Sequence, residues 1–130
     1  MPSIFSKILT GEIPCYKIAE NDKFLSFLDI FPLVKGHTLV IPKIEIDYVF
    51  DLPDNYLSEV LLFSKQVASK IHKAFPEYQR IGISVIGLEV PHAHVHLVPI
   101  NSADDINFTR PKIKLESQEL ESIRQKIVNS

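Results

Sequence analysis

The chain has 130 residues, with 14 basic against 16 acidic side chains, 45% hydrophobic residues and one cysteine. A domain of this size buries an adequate core unaided; the lone Cys15 excludes an internal disulfide, and no basic stripe is present that would follow a long nucleic acid. Neither a leader-like segment nor an apolar run of about 18 residues occurs, so a soluble cytoplasmic protein with no membrane partner is expected.

Taken in order, Ser3 is placed to cap a short helix with Ile4, Phe5, Ile8 and Leu9 on one side and Gly11 at its end. Residues 15–19 and 23–28 read as the strands of a hairpin about the turn Glu20-Asn21-Asp22. Phe27, Leu28, Asp29 and Ile30 close its second strand; an acidic residue there is ordinarily solvated or caps a turn. The loop 32–36 leads into a β-branched strand, His37 to Ile41, stopped by Pro42. Leu57, Val60, Leu61, Val67, Ile71 and Ala74 recur at three-and-four spacing, which predicts a long helix over 51–75. A further strand is expected over 81–86. Beyond Pro99 a segment of mixed polarity precedes an amphipathic helix carrying Leu120, Ile123 and Ile127, too short to stand without docking on something.

The most informative stretch is 91–99, where His92, His94 and His96 alternate with Ala93, Val95 and Leu97. Alternation is the mark of a strand, with the imidazoles on one face and the apolar row on the other. Three neighbouring imidazoles buried without partners would each carry the cost of an unmade hydrogen bond, so the row faces water or a ligand. From the residues alone three readings stay open: satisfied half-buried histidines, a metal site formed by two imidazoles with a ligand from elsewhere such as His37, and nucleophilic catalysis by one neutral ring.

The spelling His-apolar-His-apolar-His-apolar-apolar resembles the histidine triad (HIT) family of nucleotide hydrolases and transferases. Ser3 to Ile8, Phe27 to Ile30 and Gly36 to Lys43 fall in the same order as that family's other blocks, and the likeness covers residues 1 to about 100. The resemblance implies one HIT-like α+β domain over 1–130, its core in 1–100 and an extension with a helix in 101–130. The sheet is expected to be mainly antiparallel with about five strands, running from the hairpin through the His37 and Ile81 strands to the triad strand. A twofold dimer is implied as well.

It further implies that His94 attacks the α-phosphorus of a nucleotide derivative, that His96 contacts phosphate oxygens and that His92 orients the network with His37. Asp29 would accept from ribose hydroxyls. Ile4, Phe5, Ile8, Phe27 and Ile30, with Leu28 beside them, would wall a purine base, and the backbone around Glu89 and Val90 would bind a non-bridging oxygen. A histidine at 96, where the transferase branch has glutamine, favours hydrolysis, of phosphoramidates, acyl nucleotides or dinucleoside polyphosphates. No cofactor or catalytic metal is required.

Two departures from the family pattern stand out. Its zinc-binding cysteines correspond to Ser3 and Ser6 and a further zinc-ligand histidine to Glu45, so no structural zinc is expected, since hydroxyls are poor zinc ligands. The family's longer phosphate-binding segment is reduced here to Gly87-Leu88-Glu89-Val90, with Leu88 in place of a glutamine and Glu89 where many hydrolases carry serine or threonine. A protein that binds nucleotide without turning it over is therefore the rival to a hydrolase.

Overall fold

The computed structural model describes residues 2–130. Five strands, β1 (Lys17–Glu20), β2 (Phe24–Leu28), β3 (Thr38–Pro42), β4 (Arg80–Ser84) and β5 (Val95–Ile100), form one sheet in the order β1-β2-β3-β5-β4. Every neighbouring pair is antiparallel, and the helices α1 (Ile4–Leu9), α2 (Asp54–Ala74) and α3 (Ser117–Val128) pack on its faces. The expected α+β class holds.

The turn after β1 forms because the Asn21 carboxamide oxygen accepts the N–H groups of Lys23 and Phe24, at 2.9 and 2.8 Å, a side chain taking the place of a backbone partner. The sheet then sorts its residues by period two. Phe24, Leu28, Val40, Val95 and Leu97 face the helices α2 and α3, while Leu25, Phe27, Leu39 and Ile41 face α1 through Phe5. The α2 residues turned to the core are Val60, Phe63, Ser64, Val67, Ile71 and Ala74, spaced at three and four. Leu61, expected on that face, is 60% exposed, because it lies about 100° around the helix from Val60. The carboxy-terminal helix finds its docking surface on its own chain: Leu120, Ile123 and Ile127 are buried with α2 and β1 residues.

Two expectations are corrected. The Ile81 strand does not separate the His37 strand from the triad strand; β4 is the outer strand, and β5 lies between β3 and β4, with His96 opposite Leu39 on one side and Ser84 on the other. The strand also begins only at Val95, after two of the three histidines. Just before it, the N–H of His92 bonds to the carbonyl of Val90 in a tight turn and that of Ala93 to the carbonyl of Ile46 in the loop after β3, so neither donor serves a sheet ladder.

Candidate active site

The imidazole row survives this early departure from strand geometry. His92, His94, His96 and His37 are 0, 7, 8 and 1% exposed, and each ring is held by hydrogen bonds whose direction can be worked out from the partners. A carbonyl oxygen only accepts and a backbone N–H only donates.

The Leu33 N–H donates to Nδ1 of His37 (3.0 Å), so the neutral His37 ring carries its proton on Nε2. That proton points to Nδ1 of His96, 3.0 Å away, and His96 must then carry its own proton on Nε2. His94 is set the other way: its Nδ1 faces the carbonyl of His92 at 2.8 Å and must be the protonated nitrogen, which leaves the lone pair on Nε2. Among the described residues only Ser26 Oγ is a buried side-chain polar atom without a partner. The two remaining nitrogens, Nε2 of His94 and Nε2 of His96, therefore reach solvent, one as acceptor and the other as donor.

His92 occupies the back of the row. Its Nε2 donates to the carbonyl of Pro42 (3.0 Å), and Nδ1 faces the Ser3 hydroxyl at 2.9 Å. Phe5 packs its ring edgewise against His92 and His94, at centroid separations of 5.9 and 5.1 Å. Local structure fixes these positions. Gly36 has φ +95° and would put a Cβ 3.1 Å from the Phe75 ring and 3.2 Å from Pro99, so only glycine turns the chain into His37 here.

Burial sets the charge state. It pushes His37 down to about 3 and His96 to about 4, helped in each case by a neighbouring imidazole and by the Lys112 ammonium, and it lowers His94 as well. All three rings are thus neutral at pH 7. Asp29 is moved in the opposite sense, up to about 6, by desolvation. Its Oδ1 accepts the Phe31 N–H at 2.9 Å and its Oδ2 lies 3.6 Å from Nε2 of His37; with His37 neutral that approach is a polar contact and not an ion pair. Asp29, His37 and His96 offer three ligand atoms within 4.8 Å of one another, the set through which this site would hold a metal. A metal there would displace the proton shared by the two rings.

Of the expected lining residues, Phe5 and Phe27 pack together at 5.6 Å between centroids and Ile8 lies against them, while Ile4 and Ile30 are 51 and 49% exposed. Leu28 is a correction: its side chain belongs to the cluster beneath α2 and α3, because one residue along a strand changes face. Val90 packs on the Phe5 side of the sheet and Glu89 is exposed. The N–H groups of Glu89 and Val90 meet no backbone acceptor among the described residues. Phe108 and Lys112 were not foreseen. The Phe108 ring stands 4.6 Å from His96 and 6.0 Å from His37, with the Lys112 ammonium 5.6 Å above it. The segment is tied down by the Ile113 N–H donating to the carbonyl of Pro32 (2.9 Å). A lone aromatic in the mixed-polarity stretch after Pro99 was the only available signal.

This fold and ring arrangement define a histidine triad protein, and the comparisons agree: the HIT domain model matches residues 10–103, and the chain belongs to the HIT family. It is 32% identical over 128 residues to the adenosine 5'-monophosphoramidase of Schizosaccharomyces pombe, covering 98% of this chain and 96% of that protein. Among solved structures it is similar to a Hit-like protein from Bartonella henselae (TM-score 0.84, 29% identity, 98% of this chain and 95% of the other). A zinc-bound histidine triad family protein from Mycobacterium smegmatis superposes with TM-score 0.79 at 25% identity, covering 97% and 93%.

Proposed function

We propose that this protein hydrolyses nucleotide conjugates at the α-phosphorus, with a nucleoside 5'-phosphoramidate as the best-supported substrate class and acyl nucleotides or dinucleoside polyphosphates as related ones. The observation that carries the reading is the opposed polarity of two adjacent rings. His94 offers an unprotonated Nε2 to an electrophile and His96 offers an N–H to an oxygen or leaving group beside it, their centroids 4.9 Å apart.

In the first step the Nε2 lone pair of His94 attacks phosphorus and the bond to the leaving amine breaks, while the Nε2–H of neutral His96 donates a hydrogen bond to a phosphate oxygen and the amine takes its proton from solvent. Water then adds to phosphorus, the bond to His94 Nε2 breaks, the proton released by the water returns to solvent, and the nucleoside monophosphate leaves. The imidazolium charge that develops on His94 is stabilised by the carbonyl of His92 at Nδ1. Asp29 accepts from the ribose, the apolar residues Ile4, Phe5, Ile8, Phe27 and Ile30 take the base, and the amides of Glu89 and Val90 bind a phosphate oxygen. The phosphoramidase relative supports the P–N substrate.

His94→Ala should lower adenosine phosphoramidate hydrolysis by about 10⁴-fold with the fold unchanged, measured by chromatographic assay of released AMP together with circular dichroism; wild-type turnover by this variant would remove the nucleophile from His94. Measurement of AMP binding alongside turnover separates the hydrolase from a pure nucleotide binder, which would show affinity alone.

The partner at the level of assembly is a second copy of the chain. β4 is an edge strand with Ile83 half exposed, and α2 presents Leu61 and Leu62 to solvent, a combination that pairing with another β4 would cover. Sedimentation analysis at micromolar concentration should return a dimer, and a clean monomer would refute it.

A further inference from the structure

The positions that resemble the family's zinc ligands, Ser3, Ser6 and Glu45, lie at the corner where α1 meets the loop after β3. Ser3, Ser6, Glu45 and His92 converge there, and their donors and acceptors are already matched to one another. Oε1 of Glu45 accepts the Ser3 N–H at 2.5 Å and the Ser6 hydroxyl at 2.7 Å. The Ser3 hydroxyl accepts the Ser6 N–H at 3.0 Å and gives its own proton to Nδ1 of His92. Because the Ser6 hydroxyl is committed to Glu45, its 3.4 Å approach to the same nitrogen adds little.

This donor set does not fit zinc. Two of the four side chains are hydroxyls, one is a carboxylate whose near oxygen is taken by two donors, and the imidazole lone pair already receives a hydroxyl proton. The geometry points to a metal-free clasp in which Glu45, through Ser3 and Ser6, acts as a positioning residue that holds α1 against the triad and anchors the His92 ring at Nδ1.

The path from Glu45 to the chemistry is continuous. Glu45 orders the first turn of α1, where the side chain of Ser3 caps the helix. The carbonyl of Pro42 puts the proton of His92 on Nε2, and the Ser3 hydroxyl donates to the lone pair this leaves on Nδ1. With the ring pinned at both nitrogens, the carbonyl of His92 is held toward Nδ1 of His94. The same helix carries Phe5 onto His94. Loss of Glu45 therefore loosens α1, which carries both the contact of Phe5 with His94 and the base-lining residues Ile4, Phe5 and Ile8, so it should appear in kcat/KM. The part concerning kcat/KM rests on the hydrolase reading above; the clasp itself does not.

The test compares wild type, Glu45→Ala, Glu45→Gln and Ser3→Ala in the full chain. Glu45→Ala should lower kcat/KM by about tenfold, the scale on which partners of site residues act. Glu45→Gln, whose amide oxygen accepts the same two donors, should restore most of it. Nitrogen-15 spectra of the imidazoles should show His92 Nδ1 as a hydrogen-bonded acceptor in wild type and Glu45→Gln, and that signal shifted by loss of the hydrogen bond in Ser3→Ala and Glu45→Ala. Metal analysis after dialysis against zinc, and melting in excess chelator, should give no zinc that depends on Glu45 and no change in Tm. Stoichiometric zinc lost in Glu45→Ala, a Tm lowered by chelator, or an unaltered His92 spectrum in Glu45→Ala would each overturn the clasp. If wild type turns over no nucleotide conjugate, the hydrolase reading fails while the spectra, metal content and melting still decide the clasp.

Discussion

Asp29 is the residue whose acidity most directly reports on the proposed chemistry. Its carboxyl, raised to about 6 by burial, becomes protonated as pH falls through that value and can then no longer accept from both ribose hydroxyls. His96, lowered to about 4 by the same burial, stays neutral over that range, and Asp29→Asn separates the carboxyl from His94, which burial also lowers. The profile of kcat/KM should therefore be flat above about pH 6 and fall below it. In Asp29→Asn the overall value should drop while the limb near pH 6 disappears, which a pH series on both proteins will show; a limb that persists in the variant belongs to another group. The histidines themselves were legible because alternation with apolar residues marks a face. Their proton pattern was not, since it is written by backbone groups, the Leu33 N–H and the carbonyls of His92 and Pro42, that leave no trace in residue identity. Phe108 and Lys112 stayed hidden for a related reason: their part in the site depends on where the carboxy-terminal segment crosses the sheet.

At the scale of elements, the turn into β3 is the most exacting. Gly36 combines a left-handed backbone with contact to Phe75 and Pro99, and the next residue is His37. Gly36→Ala should cost about 2 kcal/mol in urea unfolding from backbone strain alone, and should weaken the His37–His96 hydrogen bond enough to move both ring signals in NMR. An unchanged midpoint would mean the turn relaxes freely. Helix and strand existence followed from periodicity, as the match of 51–75 to Asp54–Ala74 illustrates. Strand order did not, because pairing between β3 and β5 joins residues far apart in the chain and local alternation carries no record of it. A partial signal was present: the residues from Val95 to Pro99 are buried without a break, whereas β4 begins at an exposed arginine, the contrast between an inner and an outer strand.

For the molecule as a whole, the buried imidazoles tie stability to pH. His37 and His96 have folded pKa values of about 3 and 4 against an ordinary 6.5. The unfolded chain therefore binds protons on them first, and the stability they contribute is complete above pH 6.5 and lost as pH falls toward 4 and then 3. Asp29 works in the other direction, its contribution being present below 3.8 and lost as pH rises through about 6. With two strongly lowered imidazoles and a lowered His94 against one raised carboxyl, acid should destabilise the protein. Removing one such ring, as in His37→Asn, should reduce the loss between pH 7 and 4.5 by about 2.7 kcal/mol, on 1.36 kcal/mol for each pH unit below 6.5. Urea midpoints across that range check it, and an acid slope equal in both proteins would discount His37.

The ring contacts also have long sequence separations: 89 residues between Ser3 and His92, 59 between His37 and His96, and 50 between Pro42 and His92. Such loops close late in folding, since chain entropy must be spent before they give anything back. The pairing of β3 with β5 spans the same distance, Thr38 standing opposite Leu97, so the inner sheet and the division of roles between the two rings arrive together. Recovery of turnover during refolding should therefore track closure of the sheet and lag only the helical part of the ellipticity.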